Sequence, residues 1–403
     1  MVDFISRFSR GVKYLEAGAD VHSNSFKMSL ISSAKTGPAT LARVLTVPGI
    51  ASGSPFSTTV KPLPGEGIVE LFTRLAAQLA EAEIVHLMVF GAVSASPAAE
   101  EAMRRVFGPT EWPVTWVDGG ANGLQPIDGL QAFAVGAGQM VPIMLNGRVT
   151  GSVFVAGGFR HCLLGGLGPE TVIATRPDQV RQTLENLEAT LDLAGFSFGD
   201  VARTWFYLDD LLSWYGAFNQ VRTSTYGRLK FRNGSLPAST GISGRNPAGA
   251  ALVVGAWALQ PLNAAARVVE VASPLQCAAP AYGSSFSRAM EITSPQDQRL
   301  LISGTASIAP AGQTLWQGDI ARQIDLTMEV VEAILQSRGF DFSDVTRATA
   351  YCKNPAVIPQ FLSWCDAREL RSFPVVTTQC GICRDDLLFE LEADAWKASP
   401  GVH

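Results

Sequence analysis

The chain has 403 residues, of which 47% are hydrophobic and 17% charged, and its formal net charge is −5. Such a chain can bury large apolar cores, which excludes an intrinsically disordered protein. It has no basic run and no apolar stretch long enough to span a bilayer, so we expect neither nucleic acid nor a membrane as a partner.

The first of three similar segments begins near Gly65 with an amphipathic helix. Its apolar residues recur at helical spacing, at Val69, Phe72, Ala76 and Leu79. The apolar run Ile84–Phe90 predicts the strand that follows, and a proline-containing stretch, Trp112–Thr115, closes the segment. We expect this first, degenerate unit to span residues 1–140.

The second and third segments are the most alike. Residues 180–207 and 324–351 align without a gap, with identical pairs at Gly195/Gly339, Phe196/Phe340, Phe198/Phe342, Asp200/Asp344, Val201/Val345, Arg203/Arg347 and Tyr207/Tyr351. Gly195 and Gly339 stand where a helix C-cap is expected. The closing strands are predicted at Ala250–Ala256 and Leu387–Ala393. We assign these copies to residues 141–265 and 266–403.

Each unit is interpreted as strand, strand, helix, strand, helix, strand. Strands with two helices on one face predict an α+β layer, and three matching layers are expected to close around a shared centre. Three fused units satisfy their own interfaces, so we expect a monomer or a low-order homo-oligomer. Residues 1–60 either complete the first unit or form a separate arm, and the sequence leaves both possibilities open.

The last predicted strand carries an acidic face. The two-residue period of a strand places Leu388, Glu390, Glu392 and Asp394 on the same side. The second unit has Val253 and Gly255 where the third has Glu390 and Glu392. Two interpretations remain open: a solvated face with ordinary surface acids, or a pocket between units where burial raises a carboxyl pKa and creates a proton donor.

The cysteines and glycine-rich segments give weaker signals. Cys380 and Cys383 form a single C-x-x-C, which is interpreted as small buried residues, a redox pair or, with Cys352 and Cys365, a zinc site. The Gly165–Gly168 segment lacks the lysine of a phosphate-binding loop. We expect no metal and no cofactor. Six cysteines and an amino terminus without a signal-peptide core favour the cytoplasm.

The order of helix, strand, helix, proline and closing Glu-x-Glu-Ala strand resembles the reactive-intermediate deaminase (YjgF-like) family, whose members are homotrimers with sites between subunits. This resemblance implies three fused YjgF-like (chorismate mutase-like) units forming an intramolecular pseudo-trimer. The deaminases have an arginine two residues after the proline that corresponds to Pro374. Val376, Ser239 and Thr115 take that place here, so the contact with an imine substrate is missing.

Residues 200–394 also resemble the chorismatases, which share this fold and remove pyruvate from chorismate. The similar segments are 202–207, 221–222, 227–228, 237–242 with Gly241, 282–283, 286–289, 302–306, 318–319 and 383–390. The resemblance implies that Glu390 is the acid and base. The branch that forms 3-hydroxybenzoate also has a glycine at the place of Gly304 and a cysteine at the place of Cys383.

The resemblance implies that the reaction needs no cofactor. It also implies that the substrate, chorismate, is a dianion. Five arginines near the matched segments offer guanidinium groups for its carboxylates: Arg203, Arg222, Arg228, Arg288 and Arg384. Arg203 has the repeat partner Arg347, which favours a structural role, whereas Arg228 and Arg288 are expected to contact the ligand. Tyr207 either holds a ring oxygen or is a core tyrosine. The alternatives are an enzyme for another enol-ether acid, an imine deaminase and a non-catalytic binding module.

Overall fold

A computed structural model of the chain describes residues 54–119 and 125–399. Within these residues the first unit has a four-stranded sheet and two helices. In chain order its elements are β1 (Phe56–Val60), α1 (Ile68–Leu79), β2 (Glu83–Gly91), α2 (Ser96–Phe107), β3 (Val114–Val117) and β4 (Ile127–Val135). Its strand order is β1-β4-β2-β3, with β2 and β3 parallel. Most of residues 1–60, whose role the sequence leaves open, lie outside the described residues.

The second sheet has six strands and two helices. In chain order these are β5 (Val141–Leu145), β6 (Arg148–Ala156), β7 (Phe159–Leu167), α3 (Arg176–Leu193), β8 (Val201–Leu208), α4 (Leu211–Tyr226), β9 (Ala238–Ser243) and β10 (Leu252–Pro261). The strand order is β5-β6-β7-β10-β8-β9.

The third sheet repeats this arrangement. Its elements are β11 (Arg267–Val271), β12 (Ala289–Thr293), β13 (Asp297–Ala306), α5 (Ile320–Ser337), β14 (Val345–Cys352), α6 (Val357–Ala367), β15 (Val375–Gln379) and β16 (Phe389–Ala398). The strand order β11-β12-β13-β16-β14-β15 matches that of the second sheet. The α+β architecture with three sheets is therefore confirmed.

The sequence interpretation missed two strands in each of these units. Three strands, rather than two, precede the first helix, and the short parallel strand after the proline, β9 or β15, was not assigned. The closing strands also end later than predicted, at Pro261 and Ala398. Pairing with β7 continues to Pro261 and pairing with β13 continues to Ala398, which carries both closing strands past their predicted ends.

Helices α3 and α5 end just before the two glycines at which the sequence predicts the helix ends, Gly195 and Gly339. Gly195 and Gly339 follow the two C-caps with φ angles of 70° and 73°, a left-handed conformation that costs glycine least. The amide of the next residue then returns to a carbonyl inside the helix, as from Phe196 to Leu191 at 2.9 Å.

Four apolar clusters divide the described part of the molecule. Three of them lie between one sheet and its own pair of helices. The fourth is central and contains side chains from all three sheets, among them Phe90, Trp257 and Tyr351. The helices therefore pack outside, and the inner faces of the three sheets meet each other.

The pairing register defines equivalent positions in the three sheets. His86, Arg203 and Arg347 correspond on β2, β8 and β14, because they oppose the equivalent residues Phe133, Trp257 and Asp394. By the same register Gly129, Val253 and Glu390 are equivalent, as are Gln131, Gly255 and Glu392. Only the third sheet thus carries acids on its closing strand at these inner positions.

None of the helices in the described ranges has the length and apolar character needed to cross a membrane.

Candidate active site

Three carboxylates stand side by side on the inner face of β16. The exposed fractions of Glu390, Glu392 and Asp394 are 4%, 0% and 6%. The interpretation of this face as ordinary surface acids is therefore wrong. Packing against the other two sheets buries a face that the strand pattern alone leaves undetermined.

Two of these acids are neutralised by buried arginines. Arg203 donates from Nη2 to Glu392 Oε2 at 2.8 Å, and Arg347 donates from Nη1 to Glu392 Oε1 and from Nε to Asp394 Oδ2, both at 2.7 Å. Burial alone would raise the pKa of Glu392, but the charges of Arg347 and Arg203 hold it below its ordinary value. Arg203 thus already has a partner in the core.

Glu390 is in the opposite state. No hydrogen bond or ion pair within residues 54–119 and 125–399 engages its carboxyl group. Burial, reinforced by the negative charge of Glu392 and opposed by Arg288, raises the pKa of Glu390 to about 8. Its carboxyl group is therefore mainly protonated at neutral pH.

The second sheet forms the other side of the site. Strands β9 and β13 run past each other, and the amide of Ser239 donates to Ser303 Oγ at 2.9 Å. The amide of Gly304 donates to Thr240 Oγ1 at 3.1 Å. A Cβ atom at position 304 would lie 2.0 Å from Glu390 Oε1, so glycine there leaves the space that the carboxyl group occupies.

Cys383 lies in the segment between β15 and β16, half-buried beside Glu390. Burial, with the charge of Glu390, raises the pKa of the Cys383 thiol to about 12. The thiol is thus protonated at neutral pH. Any nucleophilic role needs a base that accepts its proton.

Two buried arginines, Arg288 near Glu390 and Arg222 near Cys383, retain unused donors. Arg288 donates from Nε to the carbonyl of Cys277 at 3.0 Å, whereas its buried Nη2 has no partner in the described part of the chain. Arg222 donates from Nη2 to Asn219 at 2.8 Å, and its buried Nε is similarly unpartnered there. Buried guanidinium groups with free donors are suited to holding carboxylates.

The other two candidate arginines differ in position. Arg384 donates from Nη1 to the carbonyl of Gly312 at 2.7 Å, and its guanidinium lies 5.7 Å from the ring centre of Tyr282. The Tyr282 ring is also 5.4 Å from Arg288, which places Arg384 at the same site. Arg228 is exposed after the end of α4, and no side-chain contact found in the described residues joins it to Glu390.

Tyr207 lies deeper than the other candidates. Its side chain is fully buried, and burial together with the charge of Glu392 raises its pKa. The pKa of Tyr351, its repeat partner, is raised by the same two causes, and each phenol influences the other. This central position fits a core tyrosine rather than a contact with a ligand above Glu390.

Sequence reasoning missed two groups at this site. Tyr215 on α4 stacks on Phe218. Burial raises the pKa of Tyr215, and the charges of Cys383 and Glu390 raise it further, which indicates that these two groups lie nearby. Its ring also faces Gly241, where an added Cβ would lie 3.8 Å from the tyrosine hydroxyl. The only signal was an aromatic residue beside the apolar stripe of that helix.

The second missed group is Thr240. The register opposes Thr240 to Trp205, as it opposes Thr115 to Met88 and Val376 to Thr349. Thr240, rather than Ser239, therefore occupies the place equivalent to the deaminase arginine. Counting from the proline gave the wrong residue because β9 is offset by one position, and a hydroxyl still replaces the guanidinium.

The zinc interpretation is wrong for the four cysteines. In residues 54–119 and 125–399 no three His, Cys, Asp or Glu side chains are grouped so that they could hold a metal ion. Cys380 is 4% exposed and packs in the central apolar cluster, and Cys352 and Cys365 pack between the third sheet and its helices. They are small buried residues.

Comparison with known proteins gives three findings. Residues 277–396 match the family model described as Endoribonuclease L-PSP. A RutC family protein of Pyrococcus horikoshii is 40% identical over 53 residues, which is 13% of this chain and 41% of that protein. The crystal structure of a chorismatase matches with a TM-score of 0.58 at 19% identity, covering 86% of this chain and 100% of that one.

These findings establish the fold. The family model falls on the third unit, and the chorismatase structure covers most of the chain with the same arrangement of YjgF-like units. The chain spans less than half the length of the curated relative that it matches. At 19% identity the likeness to the chorismatase concerns the fold, and the activity has to be argued from the site.

Proposed function

We propose that this protein is a chorismatase-like enzyme that removes pyruvate from chorismate and forms 3-hydroxybenzoate. The observation that carries the proposal is Glu390, a buried carboxyl group that is protonated at neutral pH and has no partner in the described part of the protein. A carboxyl group kept neutral in this way is suited to general acid catalysis.

Two buried guanidinium groups support binding of a dianionic substrate. Arg288 on the third unit and Arg222 on the second each retain a buried donor without a partner in the described residues. A carboxylate on each would satisfy those donors and would place the substrate between the units. Such fixed positioning lowers the entropic cost of bringing the reacting carbon to the acid.

The chemical step begins at the enol ether. Glu390 donates its proton to the methylene carbon, and the resulting oxocarbenium ion is stabilised by the carboxylate that remains. The bond between the ring carbon and the ether oxygen then breaks, so pyruvate leaves with the electron pair. As pyruvate departs, the neighbouring ring hydroxyl attacks the carbon that it leaves, which gives a protonated epoxide. The original bond between that oxygen and its own carbon then breaks, so the hydroxyl moves to the attacked carbon. That carbon loses its proton to the Glu390 carboxylate, which gives the arene and restores the acid.

These reaction steps consume no water, because the atoms of chorismate are those of 3-hydroxybenzoate and pyruvate combined. Cys383 is an alternative nucleophile for the ring carbon. Its thiol is protonated, so it would pass its proton to the Glu390 carboxylate as the sulfur bonds to the ring carbon. The ring hydroxyl would then displace the sulfur from that carbon, its original carbon–oxygen bond would break, and the released thiolate would take up the ring proton. Gly304 supports either route because it leaves room for the carboxyl group beside Thr240.

The cell compartment is proposed on the basis of the cysteines. All six are free cysteines in the structure. Unpaired cysteines fit a reducing environment such as the cytoplasm.

The decisive experiment mixes the purified protein with chorismate and quantifies pyruvate and 3-hydroxybenzoate by mass spectrometry. We expect turnover by the wild type and a loss of about 10²-fold or more in Glu390→Gln, which cannot donate the proton. Glu270→Gln is the matched control, because Glu270 is exposed on β11.

Near-normal turnover by Glu390→Gln would remove this residue from the mechanism. Binding of chorismate without products would favour a non-catalytic binding protein. Turnover of a different enol-ether acid would keep the acid and change the substrate. Release of ammonia from 2-aminoacrylate would indicate an imine deaminase despite Thr240.

A further inference from the structure

A cleft that does not contain Glu390 lies between the first and second sheets, and the reaction proposed above does not use it. It encloses about 910 Å³, within the range of pockets that bind small molecules, roughly 300–1,000 Å³. Its walls come from α2 and β3 on one side and from the β5–β6 turn, β7 and β10 on the other.

This cleft is the structural counterpart of the Glu390 site. The amide of Gly166 donates to Thr115 Oγ1 at 2.9 Å, as the amide of Gly304 donates to Thr240 at 3.1 Å. Val253 opposes Tyr207 on the neighbouring strand, as Glu390 opposes Tyr351. The same backbone framework therefore occurs at both unit boundaries.

The side chains on the two frameworks differ in the groups that matter for chemistry. Val253 replaces the acid, and Trp116 stands where Gly241 stands in the other site. Val253 cannot donate a proton, and the indole ring adds a flat apolar wall. This cleft therefore lacks the acid on which the chemistry proposed for Glu390 depends.

Two donors at the cleft favour an anionic ligand, in a lining that also contains the exposed Glu100 and Glu170. The Nε1 donor of Trp112 is buried and has no partner in the described ranges. Arg148, at the start of β6, is exposed, and its side chain takes part in none of the ion pairs or hydrogen bonds found there. Arg104, also on the wall, is already held by Glu101. A cation without a partner and two indole rings line the same cleft, and this combination fits an aromatic acid.

We propose that this cleft is a second, non-catalytic binding site for a small aromatic carboxylate. The carboxylate pairs with Arg148, the ring packs against Trp116 and Val253, and a polar substituent accepts from the indole of Trp112. The proposal does not depend on the identity of the substrate at Glu390.

The test uses 3-fluorobenzoate as the probe, followed by fluorine NMR, with the full-length protein. We expect Arg148→Ala to weaken binding at one site by about tenfold or more, while Arg288→Ala leaves that site intact. Arg105→Ala is the matched control, because Arg105 is an exposed arginine on the same wall helix, outside the cleft lining.

A second measurement follows the proton NMR signal of the Trp112 indole N–H, which is assigned by its disappearance in Trp112→Phe. The proposal requires this signal to move on titration in the wild type and in Arg288→Ala, and not in Arg148→Ala at the same probe concentration. Equal binding in Arg148→Ala and wild type would overturn the proposal. So would binding that Arg288→Ala abolishes entirely, because the probe would then occupy the Glu390 site alone.

Discussion

Two glutamates on one strand show how surroundings decide the role of a residue. Glu390 and Glu392 lie two positions apart on the same buried face of β16. Two arginines reach Glu392 and keep it charged, whereas Glu390 meets burial and the negative charge of its neighbour. Glu392 is therefore held as a charged partner of the buried arginines, whereas Glu390 keeps its proton at neutral pH and is suited to donating it.

The pKa of Glu390 predicts the pH dependence of the reaction. Since the acid must be protonated, kcat/KM is expected to fall above about pH 8, by roughly tenfold per pH unit. The measurement is kcat/KM for chorismate from pH 6 to 10. A rate that rises through this range would show that the ionised carboxylate is the active form.

The same pKa shift makes the free energy of unfolding depend on pH. The pKa is raised from 4.5 to about 8 on folding, so the folded state binds this proton more tightly. The resulting stability is fully present below about pH 4.5 and is lost as the pH rises through 8. Thermal unfolding at pH 5 and pH 9 should therefore differ less in Glu390→Gln than in the wild type.

At the scale of elements, glycine explains where the long helices stop. Gly195 and Gly339 adopt the same left-handed conformation after α3 and α5, which lets the chain leave the helix toward a short 3-10 turn and then the next strand. The two positions belong to the sequence repeat, so the repeat preserves a backbone requirement as well as a packing pattern.

This requirement predicts the effect of an added methyl group. Gly195→Ala should lower the free energy of unfolding by about 1 kcal/mol or more, because alanine is strained at a positive φ. Gly216→Ala is the control, since Gly216 lies inside α4 with nothing within 4 Å of an added Cβ and should give a gain of up to about 1 kcal/mol. Urea unfolding measures both. Equal effects would contradict the assigned cap.

At the scale of the molecule, fusion lets equivalent positions specialise. The three inner faces carry Gly129, Val253 and Glu390 at one position, so only one of these copies supplies the acid. The central charge network also joins different sheets. Arg203 of the second sheet binds Glu392 of the third, and Arg347 binds Gln131 of the first at 3.0 Å.

Removal of Arg347 tests this network. Arg347→Met leaves Glu392 and Asp394 buried without their shared cation, and we expect a loss of about 3–5 kcal/mol in the free energy of unfolding. Arg322→Met is the control, because its ion pair with Asp319 is exposed and should have little effect. Chemical denaturation of both variants gives the comparison, and equal stability would show that the network is dispensable.

The sequence by itself determined the features that depend on neighbouring residues. The repeat, the α+β layers, the helix ends at Gly195 and Gly339 and the shared face of Glu390, Glu392 and Asp394 all follow from local periodicity and backbone preference. The resemblance to the chorismatases then pointed to Glu390 within that face.

Only the tertiary structure decided what surrounds that face. Arg203 lies 189 residues from Glu392 in the sequence, and no local pattern shows that the two will pair. The nearness of Tyr215 to the acid, the place of Thr240 and the protonated state of Cys383 likewise depend on contacts between units. Desolvation and charge act through space, so the pKa of an acid is set by residues that the strand pattern does not contain.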